Sequence, residues 1–414
     1  MKSKTFLYIL IVLAIIAIGA FVIYQIVYQG SAGTGGGGLP GLGGLLGQTG
    51  ELPITQNQEF PSSSSLNGSA TSTAMFNAGG ANNTSSSSKF GIVSNDPSLD
   101  YFVTSGNVVE LIKPDGTIET ISDNTAVVLS DAVVSNIINA AFSYDGKKAF
   151  VTYQLATTTQ TSVFDIASKT WSHLPRGIES PVWSPVNYQI AYLTQSDAGA
   201  ETLSTIDASA TTTKPAIITS FQMEDSLLQW PNKNTIIISD RPSTYVAGSV
   251  WSFDIPSKTL SSIAYENLGE ESMWNASGSA LLFSGGKNYS GGSLTFLDQN
   301  GSLRSLSFAT LPSKCVFGPS SAATSSTSSV NLFYCAAPAD QAMFSIVRLP
   351  DEYDQKVYFS NDIFYSVDTG SGALAQLFSY SAAGLNIDAT KLKVFNNILF
   401  FINRYDQKIY ALAL

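Results

Sequence analysis

The sequence predicts an all-β protein, a β-propeller of about seven four-stranded blades, with six or eight blades as the alternatives. The first observation is a pattern that occurs five times: an apolar strand ends in Asp, a turn rich in Ser, Gly or Lys follows, and a second strand begins. The aspartates are Asp165, Asp207, Asp254, Asp298 and Asp368, at spacings of 42, 47, 44 and 70 residues. A period in the forties made of strands and tight turns is typical of a propeller blade. We therefore expect the Asp-ended strand to be the third of each blade.

The second observation is a recurring pair upstream of each Asp, in which a bulky residue precedes a tight turn and a short apolar strand. The clearest copies are Phe142-Ser143-Tyr144-Asp145-Gly146-Lys147 and Trp183-Ser184-Pro185. Turns of the Asp-Gly kind join two antiparallel strands, and we expect the bulky residue to pack between neighbouring blades. These segments resemble the WD40-like (PD40) repeat of TolB-type propellers. The resemblance implies the fold and no particular activity.

The overall plan also resembles uncharacterised membrane-anchored propellers of candidate-phylum bacteria. The segments that carry this second resemblance are Leu349–Asp354 and Val357–Ser360. It implies an anchored propeller and again no activity.

Residues 1–29 predict a short cytoplasmic stub and a transmembrane signal anchor. Lys2 and Lys4 precede an apolar run from Phe6 to Tyr24 that continues to Tyr28. Such a run is long enough to span a hydrocarbon core of roughly 30 Å, and the positive-inside rule places its N-terminus in the cytoplasm. We therefore expect a single-pass inner-membrane protein whose C-terminal part is extracellular or periplasmic. A cleaved signal peptide with a released product is the alternative.

Residues 30–88 predict a disordered linker, because Gly and Ser dominate this segment and little apolar surface is available for burial. A flexible coil of this length has a root-mean-square span of roughly 40–45 Å. The linker would let a globular head move above the membrane.

Residues 89–414 predict the propeller. Five complete blades are expected at 136–176, 177–222, 223–266, 267–310 and 311–381. A sixth begins at Asn386 and lacks a fourth strand, which Phe90–Ser94 is expected to supply, since closing the ring in this way removes a free sheet edge. The seventh contains Tyr101–Val103, Val108–Ile112 and Thr117–Ile121 and lacks an obvious first strand.

The two cysteines, Cys315 and Cys335, predict a disulfide. They fall on the expected first and second strands of one blade, and adjacent antiparallel strands bring Cα atoms within bridging range. The expected compartment outside the membrane favours oxidation. The bond would close the Ser/Thr-rich loop Ser320–Ser329.

Composition and single residues argue against several kinds of chemistry. The formal net charge is −10, whereas phosphate binding needs clustered Lys and Arg, so no nucleic-acid partner is expected. His173 is the only histidine, so a Ser-His-Asp triad would rest entirely on it. No spacing suggests a metal site, and we expect no cofactor, no metal and no catalytic set.

Paired acids are the one remaining candidate for catalysis. Glu224-Asp225 and Glu270-Glu271 fall in connectors that enter blades, and such connectors share one face of a propeller. Glycosidases need two carboxyl groups about 5–10 Å apart. The four acids are therefore candidates for a ligand face, with solvated turn residues as the alternative.

An irregular insert, Ala339–Tyr358, stretches the last complete blade and contains a helix-like segment, Asp340–Val347. Loops carry function more often than frameworks do. Phe344, Leu349, Asp351 and Tyr353 are therefore candidate partner-contact residues. The alternative is an insert that merely covers a blade edge.

Together these features predict a non-enzymatic, membrane-tethered scaffold with a monomeric head that binds an envelope protein or a surface glycan. The alternative is a carbohydrate-active enzyme that uses paired carboxylates on one face.

Overall fold

The computed structural model of the chain describes residues 89–414, apart from residues 107, 123–124, 197–198, 210–213, 287, 289 and 319–331. The predicted anchor at 1–29 and the predicted linker at 30–88 lie outside the described residues. No helix in the described part of the chain is long and apolar enough to cross a membrane.

Within these described residues, twenty-eight strands form seven antiparallel sheets of four strands each. Each sheet is one blade of a β-propeller, so the predicted fold and the predicted blade number are confirmed. Blades 1 and 2 comprise β2 (Asp100–Val103), β3 (Val109–Ile112), β4 (Ile118–Ser122), β5 (Thr125–Ser130), β6 (Ile137–Phe142), β7 (Lys148–Gln154), β8 (Thr159–Asp165) and β9 (Thr170–Arg176).

Blades 3 to 5 continue around the ring in chain order. Blade 3 comprises β10 (Glu179–Trp183), β11 (Gln189–Gln195), β12 (Glu201–Asp207) and β13 (Ala216–Phe221). Blade 4 comprises β14 (Ser226–Asn232), β15 (Thr235–Asp240), β16 (Ala247–Asp254) and β17 (Thr259–Leu268). Blade 5 comprises β18 (Glu271–Trp274), β19 (Ala280–Gly285), β20 (Gly292–Leu297) and β21 (Leu303–Ser305).

Blades 6 and 7 complete the ring and are accompanied by short helices. Blade 6 comprises β22 (Cys315–Phe317), β23 (Leu332–Pro338), β24 (Asp362–Asp368) and β25 (Leu374–Ser379). Blade 7 comprises β26 (Ala389–Phe395), β27 (Ile398–Asn403), β28 (Ile409–Ala413) and β1 (Phe90–Ser94). The α-helices are α1 (Gln341–Phe344), α2 (Asp351–Asp354) and α3 (Tyr380–Ala383), and a 3₁₀ helix spans Pro312–Lys314.

The ring closes through β1, as predicted. Phe90 lies opposite Leu412 and Gly91 opposite Ala411, so the start of the head supplies the fourth strand of the last blade. The Phe90 ring stacks on Tyr410 at a centroid distance of 5.5 Å. Blade 7 therefore joins the two ends of the described chain.

The prediction for blade 1 was wrong in one respect: its missing strand is the fourth and not the first. Asp100–Val103 is the first strand, and β5 supplies the fourth, with Thr125 opposite Ser122. An outer strand packs against its blade on one edge only, and Thr125–Val128 are exposed. Because these positions bury so little, the apolar pattern that marks an inner strand is absent from β5.

Bulky residues before the tight turns pack between blades, as expected. Trp183 ends β10 and packs against Phe150 of blade 2, with ring centroids 5.7 Å apart and ring planes tilted by 32°. Its indole N–H donates to the Ala141 carbonyl of blade 2 at 3.0 Å. One side chain thus supplies both apolar burial and a hydrogen bond across the blade boundary.

The strand-end aspartates form turns, as the sequence suggested. Asp165, Asp254 and Asp368 each end the third strand of a blade and accept a backbone N–H from the residue three positions later, at 2.6–2.9 Å. Such local acceptors fix the chain reversal into the outer strand.

The predicted disulfide is present. Cys315 and Cys335 lie directly opposite each other on β22 and β23, and their sulfur atoms are bonded. The bond therefore joins the first and second strands of blade 6.

The insert Ala339–Tyr358 lies between β23 and β24. Asp340 caps α1 by accepting the Met343 N–H at 2.8 Å, inside the predicted helix-like segment, whereas α2 was not predicted. Phe344, Leu349 and Tyr353 are buried in the protein itself. These three side chains are therefore not available to a partner; they hold the insert onto the propeller.

A buried charge cluster fixes the insert to blades 6 and 7. The exposed fraction of Lys314 is 0%, and its ammonium contacts Asp362 at 2.8 Å, Asp388, and the Ser360 hydroxyl at 3.0 Å. It also lies over the Tyr353 ring, 5.2 Å from the centroid. Burial alone would lower the pKa of Lys314, but the two carboxylates outweigh it and raise the pKa, so the ammonium stays charged.

Arg404 completes this cluster from blade 7. Its guanidinium donates to Asp388 at 2.7 Å and to the Tyr353 carbonyl at 2.5 Å, and lies 3.6 Å from the centroid of the Tyr353 ring. Two cations and two carboxylates thus balance inside the protein. Loss of one partner would leave an uncompensated buried charge.

We expect Lys314→Met to lower the free energy of unfolding by about 3–5 kcal/mol, the usual cost of removing one partner of a buried ion pair. Lys147→Met is the matched control, because Lys147 is exposed and meets Asp145 at 3.3 Å. An exposed pair of this kind stabilises by no more than about 1 kcal/mol. Denaturant unfolding of the full chain, followed by Trp fluorescence, measures both. Equal losses for the two variants would contradict the assigned role of the cluster.

Candidate functional site

The propeller has two faces that differ in what they carry. The first strands of neighbouring blades contact one another around the axis, and all of them begin at the same face. This face also carries the insert Ala339–Tyr358, and we call it the insert face. The opposite face carries the Asp-ended turns, and we call it the turn face.

The insert covers one side of the insert face. Asp351 accepts hydrogen bonds from the backbone N–H and the hydroxyl of Thr244, in the loop after β15 of blade 4. The Val347 carbonyl accepts the Gly291 N–H of blade 5 at 2.7 Å, and Arg404 of blade 7 donates to Tyr353. A segment that starts in blade 6 therefore contacts blades 4, 5 and 7.

A cavity of about 750 Å³ opens on the insert face between blades 2, 3 and 4. Its charged lining residues are Glu179, Glu224, Asp225 and Arg241, which give three carboxylates and one guanidinium. The remaining lining residues are polar or apolar: Ile138, Asn139, Thr152, Thr159, Ile178, Ser180, Pro181, Gln195, Ser226 and Leu227.

The charges in this cavity are not balanced. Arg241 donates to both oxygens of Asp225, at 2.7 and 2.9 Å, so its charge is already satisfied. Burial, together with the negative charges of Glu201 and Asp225, raises the pKa of Glu179. Glu224 is exposed at the rim. The cavity therefore has an excess of negative charge.

Ser226 is a buried polar residue of the cavity. It is only 4% exposed, and its hydroxyl has no hydrogen-bond partner among the described residues. Its backbone N–H donates to Glu201 at 3.0 Å, which fixes the start of β14. A buried hydroxyl without a partner costs free energy unless a ligand or water satisfies it.

The structure brings two of the four predicted acids together. Glu224 and Asp225 line the cavity, whereas Glu270 and Glu271 do not. Glu270 is buried and accepts the Ser284 hydroxyl at 2.8 Å. Glu271 is partly buried and accepts the Ser313 N–H at 2.8 Å, so it links blades 5 and 6.

Arg241 and Ser226 were not predicted as site residues. Arg241 follows an Asp at the end of β15, and only the fold brings it to Asp225, 16 positions earlier. Ser226 begins an inner strand directly after the predicted acid pair. Its position beside that pair is the one signal that could have identified it.

A second cavity on the insert face carries the opposite charge. It has a volume of about 300 Å³ and lies between the insert and blades 7 and 1. Its charged lining residues are Asp354, Lys356, Lys391 and Arg404, so cations outnumber the carboxylate. The insert face is therefore polarised.

His173 has an ordinary structural contact. Its Nδ1 lies 2.8 Å from the Ser162 hydroxyl on the neighbouring strand β8, and Ser162 is buried. A substrate could not reach this hydroxyl. In the described part of the chain, no group of three or more His, Cys, Asp or Glu residues could hold a metal ion.

Comparison with known proteins adds similarity of fold. No protein-family model and no curated protein matches this chain. It is similar to TolB from Acinetobacter baumannii at 14% sequence identity and a TM-score of 0.41, over 64% of this chain and 60% of TolB. The chain thus matches less than two thirds of the length of TolB.

Two other similar structures are covered more fully. For the β-propeller domain of the Trilobed protease from Pyrococcus furiosus, the identity is 12% and the TM-score 0.48, over 76% of this chain and 95% of that one. For oligogalacturonate lyase from Vibrio parahaemolyticus, the identity is 11% and the TM-score 0.49, over 78% of this chain and 92% of the lyase.

TolB and other propellers are thus among the similar structures, as the repeat in the sequence predicted. Identities and TM-scores this low say nothing about ligand or chemistry. The propeller assignment depends on the seven sheets of this chain itself.

We expect the stability of the protein to fall as Glu271 ionises. Burial raises the pKa of Glu271 from 4.5 to about 7, so the folded state holds this proton more tightly than the unfolded chain does. The resulting stabilisation is complete below pH 4.5 and is lost as the pH rises to about 7. Glu271→Gln cannot ionise and keeps an acceptor for Ser313, so its Tm should match the wild type at low pH and exceed it at pH 8.

Thermal unfolding of the full chain between pH 4.5 and 8 measures this difference. Glu266→Gln, an exposed position on the outer strand β17, removes the same charge and serves as control. A Glu271→Gln difference that stays constant over the pH range would contradict the prediction.

Proposed function

We propose that this chain is a membrane-tethered binding module that recognises an envelope protein or a surface glycan through the cavity between blades 2, 3 and 4. The observation that carries the proposal is this cavity of about 750 Å³, with unbalanced carboxylates and a buried hydroxyl that has no partner among the described residues. Concave sites with a few convergent polar groups are where ligands usually bind.

The direction of the chain supports this choice of face. The fourth strand of each blade runs from the turn face to the insert face, and β1 is the fourth strand of blade 7. The chain before Phe90 therefore joins the propeller at the turn face. The insert face is therefore opposite the face at which the chain enters β1.

The insert supports the same choice. It contacts blades 4, 5 and 7 through Thr244, Gly291 and Arg404, none of which lines the cavity. Blades 2 and 3 keep an open rim. A ligand on this face would therefore meet the cavity and not the covered side.

One observation favours a second function, that of a carbohydrate-active enzyme. Burial and neighbouring negative charges raise the pKa of Glu179, while Arg241 binds Asp225 as a carboxylate. Two carboxyl groups in one cavity, one with a raised pKa and one bonded to a guanidinium, are the kind of pair that glycosidases use as acid and base.

Turnover separates the two functions. The full chain would be incubated with a panel of polysaccharides, and new reducing ends would be measured. The binding proposal expects no release. Release by the wild type that falls by about 100-fold in Glu179→Gln, the usual contribution of a general acid, would establish the enzyme instead.

We expect a photo-reactive residue in place of Ile138 to capture the partner in intact cells of the native host. Ile138 lines the cavity and is 60% exposed, so the substitution disturbs little packing. Val186 is the matched control: it is 52% exposed and lies in the turn between β10 and β11, on the turn face. The crosslinked product is identified by mass spectrometry of the purified chain. Equal capture at both positions, or capture at Val186 alone, would contradict the proposal.

A further inference from the structure

We propose that the cavity between blades 2, 3 and 4 recognises a cationic side chain, that of Lys or Arg, presented by a protein partner. This inference rests on the proposed function and specifies the chemistry of its ligand. The charge, the polar groups and the apolar surface of the cavity support it.

The cavity lacks cations for its carboxylates. Arg241 is the cation among its described lining residues, and both of its bonds in this site go to Asp225. Glu179 and Glu224 form no ion pair with any described residue. An incoming ammonium or guanidinium would lie between carboxylates that now repel each other, and charge-assisted hydrogen bonds of this type are the stronger ones.

The polar lining includes side chains that can accept hydrogen bonds. The Ser226 hydroxyl has no partner among the described residues, and Asn139 and Gln195, whose amide groups both donate and accept, line the same cavity. An ammonium brings three N–H donors and a guanidinium five, with no acceptors. Such a ligand could donate to the Ser226 hydroxyl and to the amide oxygen atoms of Asn139 and Gln195.

The apolar lining suits the stem of a long basic side chain. Ile138, Ile178, Pro181 and Leu227 contribute hydrocarbon surface to the cavity. Lys and Arg bury their methylene groups against such surface while the charged end reaches polar groups. A small inorganic cation would leave this part of the cavity unused.

The same lining argues against other ligands. An anion would be repelled by the excess carboxylates. No Trp, Tyr or Phe is among the described lining residues, so the cavity offers no ring for a sugar face or for a quaternary ammonium. Of the ligand groups considered, a primary ammonium or a guanidinium held by the carboxylates fits this lining.

The chain itself does not bring such a group through its linker. Between Lys4 and Lys89 the sequence contains no Lys and no Arg. The predicted linker therefore has no cationic side chain to place in the cavity, and the ligand must come from another molecule.

The test is a titration of the detergent-solubilised full chain with three capped tripeptides. Acetyl-Gly-Lys-Gly-amide and acetyl-Gly-Arg-Gly-amide carry the cation, and acetyl-Gly-norleucine-Gly-amide has the stem without it. We expect the two cationic peptides to bind at least about tenfold more tightly than the neutral one, a factor that corresponds to about 1.4 kcal/mol.

Variants with opposite expected effects exclude general damage to the fold. Glu224→Gln and Glu179→Gln should each weaken binding of the Lys peptide several-fold, because each removes a carboxylate from the cavity. Arg241→Gln should strengthen it, because a competing cation leaves and Asp225 becomes available. Glu266→Gln removes the same charge on the outer strand of blade 4 and should change nothing.

Three results would overturn the inference. Equal affinity for the Lys and norleucine peptides would exclude recognition of the cation. Weaker binding in Arg241→Gln would exclude the assigned charge balance. Tight binding of 1,5-diaminopentane without binding of either peptide would point to a small amine and exclude the protein partner. If a partner were still captured at Ile138 in any of these cases, the proposed function would stand without the inference about its ligand. If capture at Ile138 also failed, both the inference and the proposed function would be wrong.

Discussion

The geometry of the insert face depends on one buried ammonium. Lys314 has no access to water and is held by Asp362 and Asp388, and Arg404 binds the second of these carboxylates. Because a buried charge requires its partners, the first strand of blade 6, the start of blade 7 and the insert can occupy only one relative position. That position places Tyr353 over blade 7 and leaves the rim of blades 2 and 3 open.

Much of the fold follows from local patterns, and the cluster does not. The Asp-ended strands and the closing strand Phe90–Ser94 could be predicted because a few neighbouring residues determine a turn and the burial pattern of a strand. Lys314 lies 46 and 74 positions from Ser360 and Asp388, so nothing near it signals its burial. Strand β5 was missed for the opposite reason, since an outer strand buries too little to leave a pattern.

The candidate site also has a part that could be predicted from the sequence and a part that could not. Glu270 lies just before β18 and Glu271 begins it, and their carboxylates bond to different partners, Ser284 and Ser313. Asp225, just before β14, has a φ of 56°, a left-handed conformation, and both Glu224 and Asp225 line the cavity. The sequence could identify both acid pairs as connector residues. It could not show which of the two pairs would line the cavity. Arg241 joins the site only through the pairing of β14 with β15.

The closure of the ring by β1 has a mechanical meaning. The chain enters β1 at the turn face, whereas a partner held in the cavity would pull from the insert face. Tension between the two would run along β1, perpendicular to the hydrogen bonds that join it to β28. Those bonds would bear the load together, in shear, and would not open one after another. The strand that removes a free edge is thus also the one through which the propeller would resist force.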